Sequence, residues 1–407
     1  MKKDLIIVDL GTNNVRVASA RYIRKSNANK IKVQEFKCRA SRGLKYEKVI
    51  NFKDIEDSIL ETIFSLSDSA QKRIRSVIIA LPPWVVNSQI VEISNNINQN
   101  LVDTDLILSM KNSCISKDEE IIHIIPIDYS LDGISGIKDP RGMKGKNLSA
   151  IFHTLSVKKE LLDSLRSCLR INNINVQTFV SAPIMSSLVL TQNIKSEATV
   201  IDIGGSCTSI TCVNNDGVVV YSKNIPIGSE VITQDISTVF KIDMASAERI
   251  KILYGLSKDV SNNLDIDPLL ISAFDDFESK IVKPISRDTL STVIVARLDE
   301  LLECIRMHLL ENEIDDNYYQ TIFFTGGGSR LLGLEEYIKC KNFLTGASIS
   351  VAKPTNIIGS DDNYVTSPSF STIAGVVSYV FEQLPDNTNL MRKSLFDRIK
   401  SLFKGGI

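Results

Sequence analysis

Two segments far apart in the chain carry the same pattern, and it constrains the fold more than any other feature. LIIVDLGTNNVRVASA near the start and ATVIDIGGSCTSITCV near the middle each place a tight Asp-x-Gly turn between two apolar runs. Such runs, bounded by glycine-rich turns, read as buried β-strands joined in hairpins. A third glycine turn, in TIFFTGGGSRLLGLEEYI, follows an apolar strand and opens a helix. The spacing predicts two related halves, each starting with an antiparallel hairpin and continuing into helices. Helices are expected at 53–66, 157–170, 183–193, 243–254, 288–311 and 371–383. Residues from about 84 to 160 have strand-like runs without a glycine signature and read as an insertion.

A turn of this kind presents successive backbone N–H groups, which can cradle an anion. Two of them facing each other would clamp a phosphate chain from both sides. Asp9 and Asp202 would then hold a hydrated Mg²⁺, an ion that keeps several waters and needs few carboxylates. The hydroxyls of Thr12 and Thr208 add hydrogen bonds, and Arg16 is placed to reach a phosphate. The plain alternative is a set of hairpin turns needing left-handed backbone; three such turns together favour a nucleotide. Other nucleotide signatures fail. PRGMKGKN has Pro140 for the first glycine of a P-loop and Asn147 for its Ser/Thr, and GGGSRLLG misses the last glycine of GxGxxG.

Composition narrows the classes. A chain of 407 residues, 43% apolar and 23% charged, is long enough for more than one packed core. A net charge of −1 gives no basic surplus for nucleic acid. Seven cysteines without a CxxC pair, beside three histidines, argue against zinc and for reduced thiols. The N-terminus has too short an apolar run for a signal peptide, and no window of about eighteen apolar residues would span a membrane. The basic residues concentrate at the end, in NLMRKSLFDRIKSLFKGGI. At helical spacing, Met391, Leu395, Phe396, Ile399, Leu402 and Phe403 share one face, while Lys393, Asp397, Arg398, Lys400 and Lys404 share the other. Five basic residues against one acid over 389–404 give this segment a charge of +4. That is how a helix lies in a lipid interface; the alternative is a last helix packed on its own domain.

The three turns resemble the phosphate-1, phosphate-2 and adenosine motifs of the actin/Hsp70/sugar-kinase superfamily. HIIPIDYSLDGISGIKDPRGMKGKNLSAIFHTL narrows the resemblance to the FtsA family of bacterial actin-like division proteins. It does so through Pro126, Tyr129, Leu131-Asp132-Gly133, Gly136-Ile137, Asp139-Pro140, Gly142-Met143, Gly145, Leu148 and His153. IPIGSEVITQDI, ASAERIKILYG and STIAGVVSY extend it over nearly the whole chain. The resemblance implies an α/β, two-lobed actin-like (ribonuclease H-like) ATPase fold with an inserted subdomain and a C-terminal amphipathic helix. Subdomain 1A is expected at 1–83 with 161–198 and 362–383, 1C at 84–160, 2A at 199–227 with 312–361, and 2B at 228–311. A linker at 384–388 and a membrane-targeting helix at 389–407 follow.

The resemblance implies ATP and Mg²⁺ between the lobes. Asp9, Gly11, Thr12, Asn13 and Arg16 match the first phosphate loop; Asp202, Gly204, Gly205, Ser206 and Thr208 match the second. Gly228 belongs to a later glycine pair, Glu248 and Lys251 match ribose and base contacts, and Gly326, Gly327, Gly328 and Ser329 match the adenosine loop. Without the family, Glu248 and Lys251 read as a solvated i,i+3 pair, and His153 reads as structural. The family tethers the FtsZ ring to the inner face of the cytoplasmic membrane, forms filaments and meets later division proteins through 1C. The acidic FtsZ tail is received near Arg297, with Lys280 and Lys283 upstream; the alternative for Arg297 is an i,i+3 pair with Glu300.

Departures from the family bear on catalysis. Ser206, Cys207 and Ser209 replace glycine, threonine and aspartate of the usual second loop. Ala182 stands where ATP-hydrolysing relatives often carry an acid, and Gln192, Asn193 and Ile194 stand where carboxylates are common. Slow or negligible hydrolysis is therefore expected. Two other readings share the fold: a small-molecule kinase, for which Asp132 and Asp139 would be the candidate acids, and a pilus-type scaffold, which would lack this insertion and tail.

Overall fold

The computed structural model describes residues 4–23, 30–45, 48–66, 74–256, 285–311, 316–341, 343–355, 357–359 and 365–382. Strands β1 (Leu5–Leu10) and β2 (Asn14–Ile23) form the first hairpin, and β3 (Lys30–Ala40) continues it antiparallel. A short β4–β5 pair (Leu44–Lys45, Lys48–Val49) leads to α1 (Phe52–Phe64), which Asn51 caps by accepting from the Lys53 N–H. Strand β6 (Ser76–Leu81) then lies parallel to β1. The insertion follows as β7 (Asn87–Asn96), α2 (Thr104–Asn112), β8 (Glu119–Leu131), β9 (Ile134–Ile137) and β10 (Asn147–Lys158), a four-stranded sheet in the order β7-β10-β8-β9. After it come α3 (Lys159–Ile171), β11 (Asn175–Ser181) and α4 (Ala182–Thr191).

The second lobe opens with the hairpin β12 (Ala198–Ile203) and β13 (Thr208–Val213), extended antiparallel by β14 (Val219–Ile225). Helices α5 (Ser229–Phe240), α6 (Met244–Tyr254) and α7 (Arg287–Glu311) follow, then β15 (Thr321–Thr325), α8 (Leu334–Cys340) and β16 (Ser348–Val351). The chain returns to the first lobe through β17 (Ile357–Ile358) and α9 (Ser371–Glu382). The two large sheets, β11-β6-β1-β2-β3-β17 and β14-β13-β12-β15-β16, share one plan. In each, an antiparallel meander of three strands is followed by two parallel ones. The two related halves anticipated from the repeated turns are present.

The six expected helices lie where the periodicity puts them, within two residues at either end. Among the described residues two helices are not in the sequence reading, α2 and α5. The α5 sequence, SEVITQDISTVF, is rich in β-branched residues with low helix propensity. Tertiary packing overrides that preference: Ile232 and Ile236 are buried in the second-lobe core with Ile250, Leu290 and Ile294. The C-terminal helix and its six apolar face residues, together with Lys280 and Lys283, lie outside the described residues.

The insertion has a small core of its own, built on Met110, Tyr129, Leu148 and Phe152. Its base belongs to the main core: Ile122, Ile125, Leu155 and Val157 join the first lobe in one buried cluster that reaches Val213, Val218 and Val219 of the second. The contact is also polar. The His153 ring is fully buried, and its Nδ1–H donates to the Val219 carbonyl at 3.2 Å, which leaves Nε2 to accept from Ser88 Oγ at 2.8 Å. Ser88 Oγ also lies 2.8 Å from the Ser222 carbonyl, so its single proton serves two acceptors. Asn224 Nδ2 donates to the Pro83 carbonyl at 2.8 Å, and Lys138 pairs with Asp216. His153 therefore holds structural hydrogen bonds, and burial pulls its pKa down to about 4.

Where α9 crosses α4, Gly375 has no room for a side chain: a Cβ would sit 1.9 Å from the Met185 carbonyl oxygen. That oxygen is backbone and cannot swing aside. Gly375→Ala is expected to lower the thermal midpoint, because overpacking of about 1–3 kcal/mol outweighs the helix-propensity gain of roughly 1 kcal/mol. An unchanged or higher midpoint in a thermal melt would show that the two helices separate freely.

Candidate functional site

The two hairpin turns are copies of one another in atomic detail. In the first, Gly11 N–H donates to the Asn14 carbonyl at 3.1 Å; in the second, Gly204 N–H donates to the Cys207 carbonyl at 2.9 Å. A Cβ on either glycine would stand 2.8 Å from that carbonyl oxygen, so both positions exclude a side chain. The turns come from opposite lobes and meet across a cleft of about 220 Å³. Thr12 Oγ1 and Ser206 Oγ are 2.9 Å apart, and a Cβ on Gly205 would strike Asn13 Oδ1 at 2.4 Å.

The hairpin register sets what faces each aspartate. Asp9 pairs with Arg16 and Asp202 with Ser209. Arg16 Nη1 accordingly lies 3.1 Å from Asp9 Oδ2, whereas Asp202 has no cation in the matching place and accepts from Ser186 Oγ on α4 at 2.8 Å. Burial raises both carboxyl pKa values. Arg16 opposes the shift at Asp9. At Asp202 the Ser186 bond opposes it, but the charge of Asp9 adds to it, and the group titrates at about 6.

The third turn follows β15. Gly326 has φ +90°, and a Cβ there would lie 2.2 Å from Asp202 Oδ1. Gly326, Gly327 and Gly328 line the cleft. Opposite them, on α6, Lys251 is 5% exposed and donates to the Ser229 carbonyl at 3.0 Å and Thr233 Oγ1 at 2.8 Å, with Glu248 at 2.7 Å. The solvated pair of the sequence reading is thus a clamp between α6 and the start of α5, with Lys251 buried and Glu248 still reaching solvent. Burial lowers the Lys251 pKa against the pull of Glu248.

Fourteen of the seventeen expected ligand residues line this cleft, from Asp9 through Gly328, and three do not. Thr208 is fully buried and donates to the Ile227 carbonyl at 2.7 Å; Ser329 donates to the Thr325 carbonyl at 2.5 Å. Gly228 lies behind the second turn, where a Cβ would meet the Gly205 carbonyl oxygen at 2.2 Å, so it supports the turn from outside. Ser186, Ile252 and Arg330 also belong to the site. None of the three is marked by residue type or spacing; Ile252 shows itself only in the fold, as a half-exposed apolar residue one turn after Glu248. Ala182 lines the cleft, while Gln192 is at the far end of α4.

Arg297 is held in a fork: Nε and Nη2 donate to Asp235 on α5 at 2.7 and 3.1 Å, and Nη1 pairs with Glu300. Asp132 accepts from the Lys146 and Asn147 N–H groups, both at 2.8 Å, and Asp139 chelates Arg141. Both acids of the kinase reading are therefore turn-holders in the insertion.

The residues present fit a Mg²⁺ nucleotide. Gly205, Thr12 and Ser206 of the apposed turns line the cleft beyond the two closing bonds, and two carboxylates face it, Asp9 buried and paired with Arg16, Asp202 half-buried and without a cation of its own.

Two matching sheets closing on one cleft define the actin-like class of proteins. The solved PilM-PilN type IV pilus biogenesis complex shares this fold with a TM-score of 0.64 at 14% identity, covering 93% of this chain and 98% of that one. MreB5 of Spiroplasma citri bound to AMPPNP matches at 0.53 and 15% identity, covering 94% and 97%. The family model "Cell division protein FtsA" matches residues 199–375, and "SHS2 domain inserted in FTSA" matches 84–156. Cell division protein FtsA of Buchnera aphidicola subsp. Schizaphis graminum is 30% identical, over 99% of this chain and 98% of its own length. FtsA of Agrobacterium fabrum is 24% identical, over 92% and 86%. The chain belongs to the FtsA family of cell division proteins.

Because Asp202 titrates above the ordinary 3.8, its burial costs no stability below about pH 4 and the full amount once the pH has risen through 6. Asp202→Asn, which keeps an acceptor for Ser186, is expected to raise the thermal midpoint near pH 7.5 and leave it unchanged near pH 4. Equal midpoints at both pH values would show that Asp202 is not held in a protonating environment.

Proposed function

We propose that the chain binds ATP with Mg²⁺ in the interlobe cleft, polymerises into actin-like filaments and tethers the FtsZ ring to the cytoplasmic face of the cell membrane at the division septum. The observation that carries this reading is the pair of matching turns apposed across the cleft, in a chain that follows a division protein over 99% of its length. In this reading the turn amides hold the phosphates, and the third turn and α6 hold the nucleoside. Asp9 and Asp202 hold Mg²⁺ through water, and the ion neutralises phosphate charge when bound. Ala182 brings no carboxylate or amide to the cleft to orient a water, so turnover is slow.

Among the described residues no helix is long and apolar enough to cross a membrane, and attachment falls to the basic segment at 389–404, whose sequence is amphipathic at helical spacing. Each basic residue near an anionic surface contributes about 1 kcal/mol, and apolar burial adds to it. A filament carrying many such helices multiplies a weak anchor into a firm one. Later division proteins meet the insertion, and the acidic FtsZ tail meets the α5–α7 surface around Arg297.

Electron microscopy on an anionic lipid monolayer with ATP, beside a chain ending at Leu384, tests the whole scheme. Filaments on lipid from the full chain alone are expected; lipid coating by neither, with ATP bound by both, would overturn the tether. Rapid ATP turnover in solution would overturn the slow-hydrolysis assignment.

Asp235 occupies the guanidinium that the FtsZ tail would use. Arg297→Ala is therefore expected to abolish binding of an FtsZ tail peptide, and Asp235→Asn to strengthen it by removing the competitor. Unchanged affinity in both variants, by fluorescence polarisation, would place the peptide elsewhere.

A further inference from the structure

We propose that Thr12 and Ser206 form a hydroxyl clasp that ties the two turns together and sets how long a nucleotide polyphosphate is held; the proposal rests on the ATP reading above. The two oxygens are 2.9 Å apart although their residues are 194 positions apart and belong to opposite lobes. Each sits on a turn closed by its own backbone bond, so neither hydroxyl is carried on a loose loop. Asn13 packs over Gly205 beside them and fixes the approach.

Proton counting gives the clasp its chemistry. Each hydroxyl has one proton and two lone pairs. One proton lies between the oxygens, and the other remains to donate. The residues are on the lining of the cleft, where the acceptors would be phosphate oxygens. An oxygen whose proton is drawn toward an anion becomes a better acceptor, so the anion strengthens the bond between the lobes. Lobe closure and polyphosphate binding then reinforce each other, and a nucleoside without phosphates gains nothing. Ser206 stands where the FtsA-type second loop has glycine, which has no hydroxyl to offer. The clasp is a positioning device, added to turns that their own backbone bonds already close.

Stopped-flow release of a fluorescent ATP analogue from the full-length protein tests it, using Ser206→Ala, Thr12→Val and the double variant. Each single change is expected to speed release roughly three- to tenfold, the range of one net hydrogen bond, and the double variant no more than the more severe single one. Thr12→Ser, which keeps the hydroxyl, restores slow release. A second readout needs no nucleotide: amide exchange at Gly11–Asn14 should quicken in Ser206→Ala, a substitution in the other lobe. Single variants that release the analogue at the parent rate, or effects that multiply in the double variant, would overturn the clasp. A parent chain that binds no analogue, yet shows exchange coupling between the turns, would overturn the ATP reading and not the clasp.

Discussion

Everything at the centre of this molecule depends on a backbone hydrogen bond, made once in each lobe, that brings its acceptor oxygen too near the glycine to admit a side chain. Gly11 to Asn14, and Gly204 to Cys207, close two four-residue turns whose geometry any Cβ would spoil. Because the strands on either side are buried, each turn is held at the end of a rigid hairpin. The aspartate before each turn is then aimed at the same space from opposite sides. The sheets could twist or shift by small amounts and still bury their apolar faces, but these turns tolerate no such latitude.

The duplication is imperfect where function would need it to be. At the positions facing the two aspartates, one half carries Arg16 and the other Ser209. One carboxylate is therefore paired, while the other takes a hydroxyl and feels the first. An exact repeat would have put two guanidinium groups there and cancelled the negative charge that suits a divalent cation. The asymmetry extends outward: Ser209 Oγ donates to Asn224 Oδ1 at 3.0 Å, and Asn224 in turn donates to Pro83, where the chain leaves the first lobe for the insertion. The departure at position 209 thus opens a polar path from the cleft to the base of the insertion.

Much of this was legible in the sequence because it follows from local rules. Apolar runs interrupted by Asp-x-Gly mark hairpins wherever they occur, and long helices such as α7 declare themselves by period. Helix α5 did not, since its β-branched residues argue for a strand until α6 and α7 are packed on it. Thr208 and Ser329 match a binding motif by residue type, but their hydroxyls are spent on carbonyls that only the folded chain brings near. Ser186 carried no signal, because its partner is sixteen residues away on another element. The fate of Arg297 depended in the same way on Asp235, sixty-two positions earlier.

The seam around His153 has a meaning beyond joining two parts. Strand β14 ends its sheet, and an end strand presents carbonyls with no neighbouring strand to accept from. Here the carbonyls of Val219 and Ser222 are met by an imidazole and a hydroxyl instead of a peptide backbone. The insertion thereby acts as a lid on an open sheet edge, made of side chains that cannot propagate pairing. A chain that lost it would lose a subdomain and also uncover a strand ready to recruit the next copy, in an arrangement unrelated to an ordered polymer.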